Sequence, residues 1–361
     1  MVIYLFNVLL LLGEGYYLIY TYPSLRNRKK FCLIASLQWI FLSGMRGTTV
    51  GADTIGYLRM FNRVGEVSWR EILEAFVAVY FRGRVPLSSS ENFLYKDPGY
   101  LIFQKFIHIF TNNGQMYLII VAAIVFASLG YFIYKNSDDP AFSYVLFSAL
   151  FYSFYAITGT RQALATVLVV FIGFEFIKRK EKWKFIFTAL IAFTLHKSAL
   201  LFVPFYFLAQ KEITWKYIGL ITAATAFFWL MGERFILTAA ALFGYNRKSV
   251  YVADTLTYTA IMALVGIAVV FFFKWIQKRN EFKKMELNAT LLATALTFFT
   301  LIDQSMMRVQ QYYALFLMLS IPSILNCFEK KSRRILRGTC ILVLIFYLIR
   351  NNPQYMFFWQ N

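Results

Sequence analysis

The sequence predicts an all-α polytopic membrane protein of about twelve transmembrane helices, organised as a single integral membrane domain over residues 1–361. Three observations predict it. Of the 361 residues 59% are hydrophobic and 20% aromatic, with only 15% charged, more apolar side chain than a soluble fold needs. Apolar runs close to the length that crosses a core of about 30 Å recur along the chain. The Lys and Arg behind the formal charge of +19 fall in short loops between those runs, a pattern of membrane topology rather than of a nucleic-acid-binding face.

Val2–Tyr22 is the first run. It has no basic n-region and no small-residue cleavage site, so it is expected to stay as a span rather than be removed as a signal peptide. Phe31–Met45 comes next, and after a polar interval Gln115–Tyr134, Phe142–Ile157 and Gln162–Ile177. Thr214–Met231, Thr257–Ile276, Leu287–Ile302 and Val309–Cys327 are the later clear runs. The cysteines Cys32, Cys327 and Cys340 are scattered without metal or disulfide spacing and read as packing residues.

Four loops are strongly basic: Arg26–Lys30, Lys178–Lys184, Lys274–Lys284 and Lys330–Arg337. Loops of this kind stay cytoplasmic, so an even number of crossings must separate consecutive ones. That parity makes Asp97–Phe110 an interfacial helix rather than a span. It also makes Phe185–Ala209 a hairpin that enters and returns near His196 and Lys197, the rival being a crossing at Phe235–Phe243. Both ends then lie outside, residues 46–113 form an extracytoplasmic loop with interfacial helices, and residues 82–96 are its most loop-like part.

The same topology gathers the unusual polar residues on the outer side. His196 and Lys197 interrupt an apolar run, where a titratable ring and a cation are costly. An imidazole titrating near neutrality would suit proton removal. Arg46 and Asp53 sit in RGTTVGADTIGY, residues 46–57, whose glycines allow close backbone approach. Arg161 and Gln162 open a crossing, where a planar guanidinium and a helix N-terminus would both favour phosphate; anchoring to headgroups is the plainer role for Arg161. Asp303 and Arg308, five apart in a loop, could line the site or form a salt bridge that staples two spans. His108 on the interfacial helix is expected to be structural. No H-E-x-x-H, C-x-x-C or acidic cluster calls for a bound metal, and no cofactor is expected.

In order, Arg46 with Gly51, Asp53 and Tyr57, then Asp97-Pro98-Gly99-Tyr100, then Arg161-Gln162 with Ala165, then His196-Lys197-Ser198-Ala199-Leu200 resemble the EpsG branch of the Wzy-type exopolysaccharide polymerases. The likeness runs over residues 40–205, with Arg308 and hydropathy carrying the last third. Where the family pattern has Asn three residues before the Arg-Gln pair, this chain has Thr158. The resemblance implies a GT-C-like glycosyltransferase architecture with an extracytoplasmic cavity, in a bacterial cytoplasmic (inner) membrane. It implies transfer of a growing glycan from undecaprenyl pyrophosphate to the non-reducing end of a lipid-linked repeat unit. His196 or Asp53 would be the base. Arg46, Arg161, Gln162, Arg308, Lys197, Asp97, Tyr100 and Asp303 would bind pyrophosphate or substrate. Undecaprenyl-pyrophosphate-linked oligosaccharides and the bilayer would be partners, with chain-length regulator and flippase proteins as candidates and no nucleic acid. An O-antigen ligase would use the same donor but usually carries its large outer loop late in the chain; a flippase would spread polar residues along a transport path.

Overall fold

The computed structural model describes residues 2–82, 92–242, 247–351 and 354–360, and among them it is helical, with no strand beyond one isolated bridge between Arg46 and Phe357. The loop reading for residues 82–96 falls largely outside the described residues, as does Phe243 at the end of the rival crossing. The helices are α1 (Val2–Thr21), α2 (Leu25–Gly44), α3 (Thr54–Val64), α4 (Trp69–Val77), α5 (Asn92–Lys96), α6 (Pro98–His108) and α7 (Gly114–Asn136). Then come α8 (Pro140–Leu150), α9 (Thr160–Lys178), α10 (Lys182–Leu195) and α11 (Lys197–Leu208). They are followed by α12 (Trp215–Met231), α13 (Glu233–Leu242), α14 (Leu256–Gln277), α15 (Glu281–Thr297), α16 (Met307–Ala314), α17 (Leu317–Leu325) and α18 (Lys330–Arg350).

By length and composition α1, α7, α9 and α14 can each cross a membrane alone, and α12 with α13 makes a fifth if that pair, bent by 95°, is one span. Local chemistry sets the boundaries. Asn113 accepts from the Gln115 and Met116 amides to start α7, and Asp139 accepts from Phe142 N just before Pro140 to start α8. Gly232, at φ +56°, makes the bend between α12 and α13 in a conformation that side-chain-bearing residues avoid.

The four basic loops meet at one end of the bundle. Arg28 donates to the carbonyl of Tyr134 at 2.8 Å, Lys178 reaches Asn136 Oδ1 at 2.7 Å, Lys283 pairs with Asp138 at 2.8 Å and Arg337 with Asp139 at 3.1 Å. Between the ends, aromatic rings fill the core: Trp39 packs on Phe126, Phe147 and Tyr152, and Phe316 on Phe132, Phe174 and Phe202.

The helices α10 and α11 form a hairpin over Phe185–Ala209, as parity requires. Its first arm leaves from the basic end and its second comes back there: Tyr206 Oη donates to the carbonyl of Lys180 at 2.8 Å, and Asn288 Nδ2 to that of Lys211 at 2.8 Å. Fourteen residues of α10 rise roughly 21 Å, so the turn at His196 lies well along the bundle toward its other end.

That other end is closed by α3 to α6 and by residues 354–360. The amide of Gly47 donates to Met356 O at 2.8 Å, Phe358 N donates to Met45 O at 3.0 Å and Tyr355 Oη donates to Leu42 O at 2.8 Å. The last described segment is thereby stitched to the loop that leads to Asp53.

Candidate functional site

At the end opposite the basic loops lies a cavity of about 1230 Å³. Its wall includes Asp53, Thr158, His196, Arg247, Arg308 and Gln311, with Tyr258 and Tyr313 deeper in. Its apolar side is made by Phe228, Phe235 and Ile236 from the bent α12–α13 pair.

Two glycines bring separate elements to this wall. At Gly51, with φ +91°, a Cβ would come 2.6 Å from Ile157 Cγ2, so only glycine lets the loop carrying Asp53 press against the Ile157–Thr158 turn. At Gly99 a Cβ would come 2.2 Å from Thr194 Oγ1 and 2.7 Å from the Thr194 carbonyl carbon. The missing side chain lets the start of α6, with Asp97 ahead of it, dock two residues before His196.

Asp97 is buried, and its carboxylate forms an ion pair with Arg161 at the start of α9. The Arg161 guanidinium also lies 5.8 Å from the centre of the Tyr57 ring. Tyr57 is held by Tyr100, at 5.9 Å between ring centres, and by Gln104, whose Nε2 donates to the Tyr57 carbonyl at 3.2 Å. Tyr100 shares a hydrogen bond with Tyr117 and supports this arrangement from beneath; it does not line the cavity. Burial raises the Asp97 carboxyl to about 6, against the pull of Arg161, Lys197 and Lys96.

His196 is the extended residue between α10 and α11, with φ −157° and ψ 116°. It lies in the turn, outside the spanning helices, and its Nδ1 is buried with no hydrogen-bond partner. Burial and the charges of Arg161, Arg308 and Lys96 push the imidazole down from its ordinary value. Taken out of water among cations, the ring is held in its neutral form, below the near-neutral titration of a free imidazole. Beside it Ser198 Oγ and Tyr312 Oη are 3.1 Å apart, and Gln162 Nε2 donates to the Arg308 carbonyl.

The remaining sequence candidates separate. Arg308 is exposed on the cavity wall. Asp53, also exposed there, precedes α3 without a side-chain cap bond. Asp303 pairs with Arg247 at 2.8 Å and accepts from Ser305 N at 2.8 Å, so the salt bridge considered between Asp303 and Arg308 is replaced by one that frees Arg308. Arg46 is buried away from the wall, donating to the Ser43 carbonyl, to Ser43 Oγ at 3.2 Å and to Thr54 Oγ1 at 3.4 Å. Lys197 stands within electrostatic reach of Asp97.

Sequence reasoning missed Lys96, which is exposed beside Asp97 and interacts with Arg161, Asp97, Arg308 and Asp53. Its signal was adjacency to the Asp-Pro-Gly-Tyr stretch. Around the site Arg161 Nε, Gln162 Oε1 and Gln311 Oε1 are also buried without partners, an unusual concentration of unmet polar atoms. Among the described residues no group of three or more His, Cys, Asp or Glu side chains could hold a metal ion.

No curated protein and no solved structure gives a significant match to the chain. A family model does, over residues 29–359. The match covers the loop with Asp53, the Asp97–Arg161 pair, the His196 hairpin and Arg308 together, and the chain therefore belongs to the EpsG family, a membership that implies a membrane protein with a polysaccharide polymerase role in exopolysaccharide biosynthesis.

Proposed function

We propose that this protein polymerises a bacterial polysaccharide at the outer face of the cytoplasmic membrane. It transfers the growing glycan from undecaprenyl pyrophosphate to the non-reducing end of a new lipid-linked repeat unit. Positive loops stay inside, so the cavity at the far end of the bundle faces out. In this reading, with both arms of the α10–α11 hairpin counted, the passes would be α1, α2, α7 to α12, α14, α15, the α16–α17 pair and α18.

The observation that carries the reading is His196 Nδ1, buried and unpartnered on a cavity wall that it shares with an exposed arginine, Arg308. In the transfer an acceptor hydroxyl gives its proton to the His196 imidazole, and its oxygen forms the new bond to the anomeric carbon. The bond from that carbon to the phosphate oxygen breaks, and the electron pair leaves on the diphosphate. Arginines aimed at that oxygen stabilise the charge as it grows. Burial is the main cause that keeps His196 neutral and the nearby cations add to it; a diphosphate would offset that second part, so donor binding raises the basicity of the ring. The base is thereby strengthened when its substrate is present.

The test is a deletion strain complemented with this chain or with His196→Ala. Restored polymer with the wild type, and accumulation of a single lipid-linked repeat unit with the variant, are expected. Accumulation of finished polymer on its carrier would indicate a ligase, and loss of translocation of the repeat unit a flippase; either refutes the reading.

A further inference from the structure

Two neighbouring glutamines on α16 meet opposite surroundings. Gln310 is engaged at both ends of its amide: Oε1 accepts from Tyr258 Oη at 3.1 Å and Nε2 donates to Thr297 Oγ1 at 2.9 Å. Gln311 is 4% exposed and stands on the cavity wall, yet among the described residues its side-chain amide makes no hydrogen bond, and its Oε1 is buried. A buried amide oxygen without a partner costs stability, and most such groups in folded proteins are paired. Gln38, Gln104 and Gln162 also keep a buried oxygen unpartnered, but each commits its Nε2 to the protein and none of them lines the cavity.

The docking of α16 sets the position of Gln311. Ser198 Oγ and Tyr312 Oη lie 3.1 Å apart, and Tyr313 Oη donates to the Leu201 carbonyl at 2.8 Å, so the helix packs along the hairpin arm that begins after His196. Residues three apart share a helix face. Arg308 and Gln311 accordingly both line the cavity, with His196 and Ser198 on its wall as well. Gln311 lies roughly 4.5 Å further along the axis than Arg308. Arg308 is exposed there and Gln311 is buried, so the amide is the deeper of the two.

We infer that Gln311 is a sugar-binding residue, its amide receiving hydroxyls of the ring that adjoins the diphosphate. This rests on the polymerase reading, which gives the diphosphate to arginines that include Arg308, and adds to it a residue that meets the glycan. A sugar hydroxyl both donates and accepts, and a carboxamide sets a carbonyl oxygen beside an amino group, so one glutamine can take two neighbouring hydroxyls. The amide is also uncharged, which suits a polyol more than a phosphate. A site built to hydrogen-bond hydroxyls discriminates against a ligand that lacks them, because its own buried polar groups are then left unpaired.

The experiment measures the binding of two probes to purified full-length protein in lipid nanodiscs: the lipid-linked glycan extracted from the deletion strain, and undecaprenyl diphosphate without sugar. Wild type is compared with Gln311→Met, which keeps the length of the side chain and removes the amide, and with Gln310→Met. Gln311→Met should weaken binding of the lipid-linked glycan by roughly tenfold and hold the sugar-free carrier like wild type. It should melt no lower than wild type, because the group it removes is buried and unpaired. Gln310→Met strands Tyr258 and Thr297, so it should melt lower and set the scale of a structural loss. Wild-type affinity for the glycan in Gln311→Met overturns the inference, and so does an equal loss for both probes or a melting temperature lowered to that of Gln310→Met. The complementation assay keeps the two ideas apart. A wild type that restores no polymer yet holds the glycan through Gln311 refutes the polymerase and leaves the sugar site. A wild type that restores polymer, beside a Gln311→Met that binds the glycan normally, refutes the sugar site and leaves the polymerase.

Discussion

The carboxylate of Asp97 and the guanidinium of Arg161, 64 residues apart in sequence, form an ion pair that is 5% and 15% exposed on its two sides. Removing either partner strands a buried charge, so the pair acts as a unit that fixes the start of α6 against the start of α9.

Arg161→Lys should lose most of the activity although the charge is kept. Only a planar fork can hold Asp97, lie over Tyr57 and still direct a donor toward the departing phosphate. A loss of about 10²–10³ in initial polymerisation rate is expected at matched membrane abundance. A variant running near wild-type speed would leave Arg161 as a packing partner of Asp97 and Tyr57 with no part in the transfer.

A second expectation concerns pH. Because burial raises Asp97 to about 6, the carboxylate that holds Arg161 is lost as pH falls through that value. Polymerisation should decline there, and Asp97→Asn should be poorly active with that limb of the profile absent. Stability moves the other way: a carboxyl raised above its unfolded value favours the folded state most at low pH, and that contribution fades as pH rises toward 6. The melting temperature of the wild type relative to Asp97→Asn should therefore fall between pH 4 and 6. A flat difference would mean that Asp97 is not buried as a carboxyl.

His196→Ala is expected to bind lipid-linked substrate and scarcely turn it over, a loss of about 10²–10⁴-fold. Rapid-quench single-turnover measurements separate the two steps. Turnover at the wild-type rate would move the role of base to Asp53.

At Gly99 a single methyl should disturb the site. Gly99→Ala forces a Cβ to 2.7 Å from the Thr194 carbonyl carbon, and relieving it costs about 1–3 kcal/mol. The thermal midpoint should drop, and the polymerisation rate should drop with it because Asp97 moves. Gly56, with nothing within 4 Å of its Cβ position, is the control and should accept Ala.

Sidedness can be read with thiol chemistry. In a background with Cys32, Cys327 and Cys340 replaced by Ser, Asn62→Cys should react with a membrane-impermeant reagent in intact cells or spheroplasts, and Lys278→Cys should not. The reverse pattern would turn the cavity inward and end the proposed function.

The gross plan was legible in the sequence because hydrophobic runs and basic loops act over short windows. Counting crossings between such loops was enough to fold Phe185–Ala209 back on itself. The helix lengths were less legible, since Phe142–Ile157 shortens to α8 and Val309–Cys327 breaks into α16 and α17 rather than forming single long helices. Pairings over long separations were not legible at all. Nothing local distinguishes Arg308 as a partner for Asp303, five residues away, from Arg247, which takes it from an earlier loop. Nor does composition say that Arg46 turns back onto its own helix end while Lys96 comes within electrostatic reach of Arg161 and Asp97. Those outcomes depend on which loops the cavity brings together.

The stitch between Arg46 and Phe357 sets an order of events during biosynthesis. The loop leading to Asp53 leaves the ribosome early, but its hydrogen-bonding partners, the backbone groups of Met356 and Phe358, are among the last described residues to be made. Until residues 354–360 have been made the loop has no second segment to lie against, and the wall of the cavity that it carries is open. The chain can thus build its helices while this wall is still open, and the wall closes only once residues 354–360 are in place.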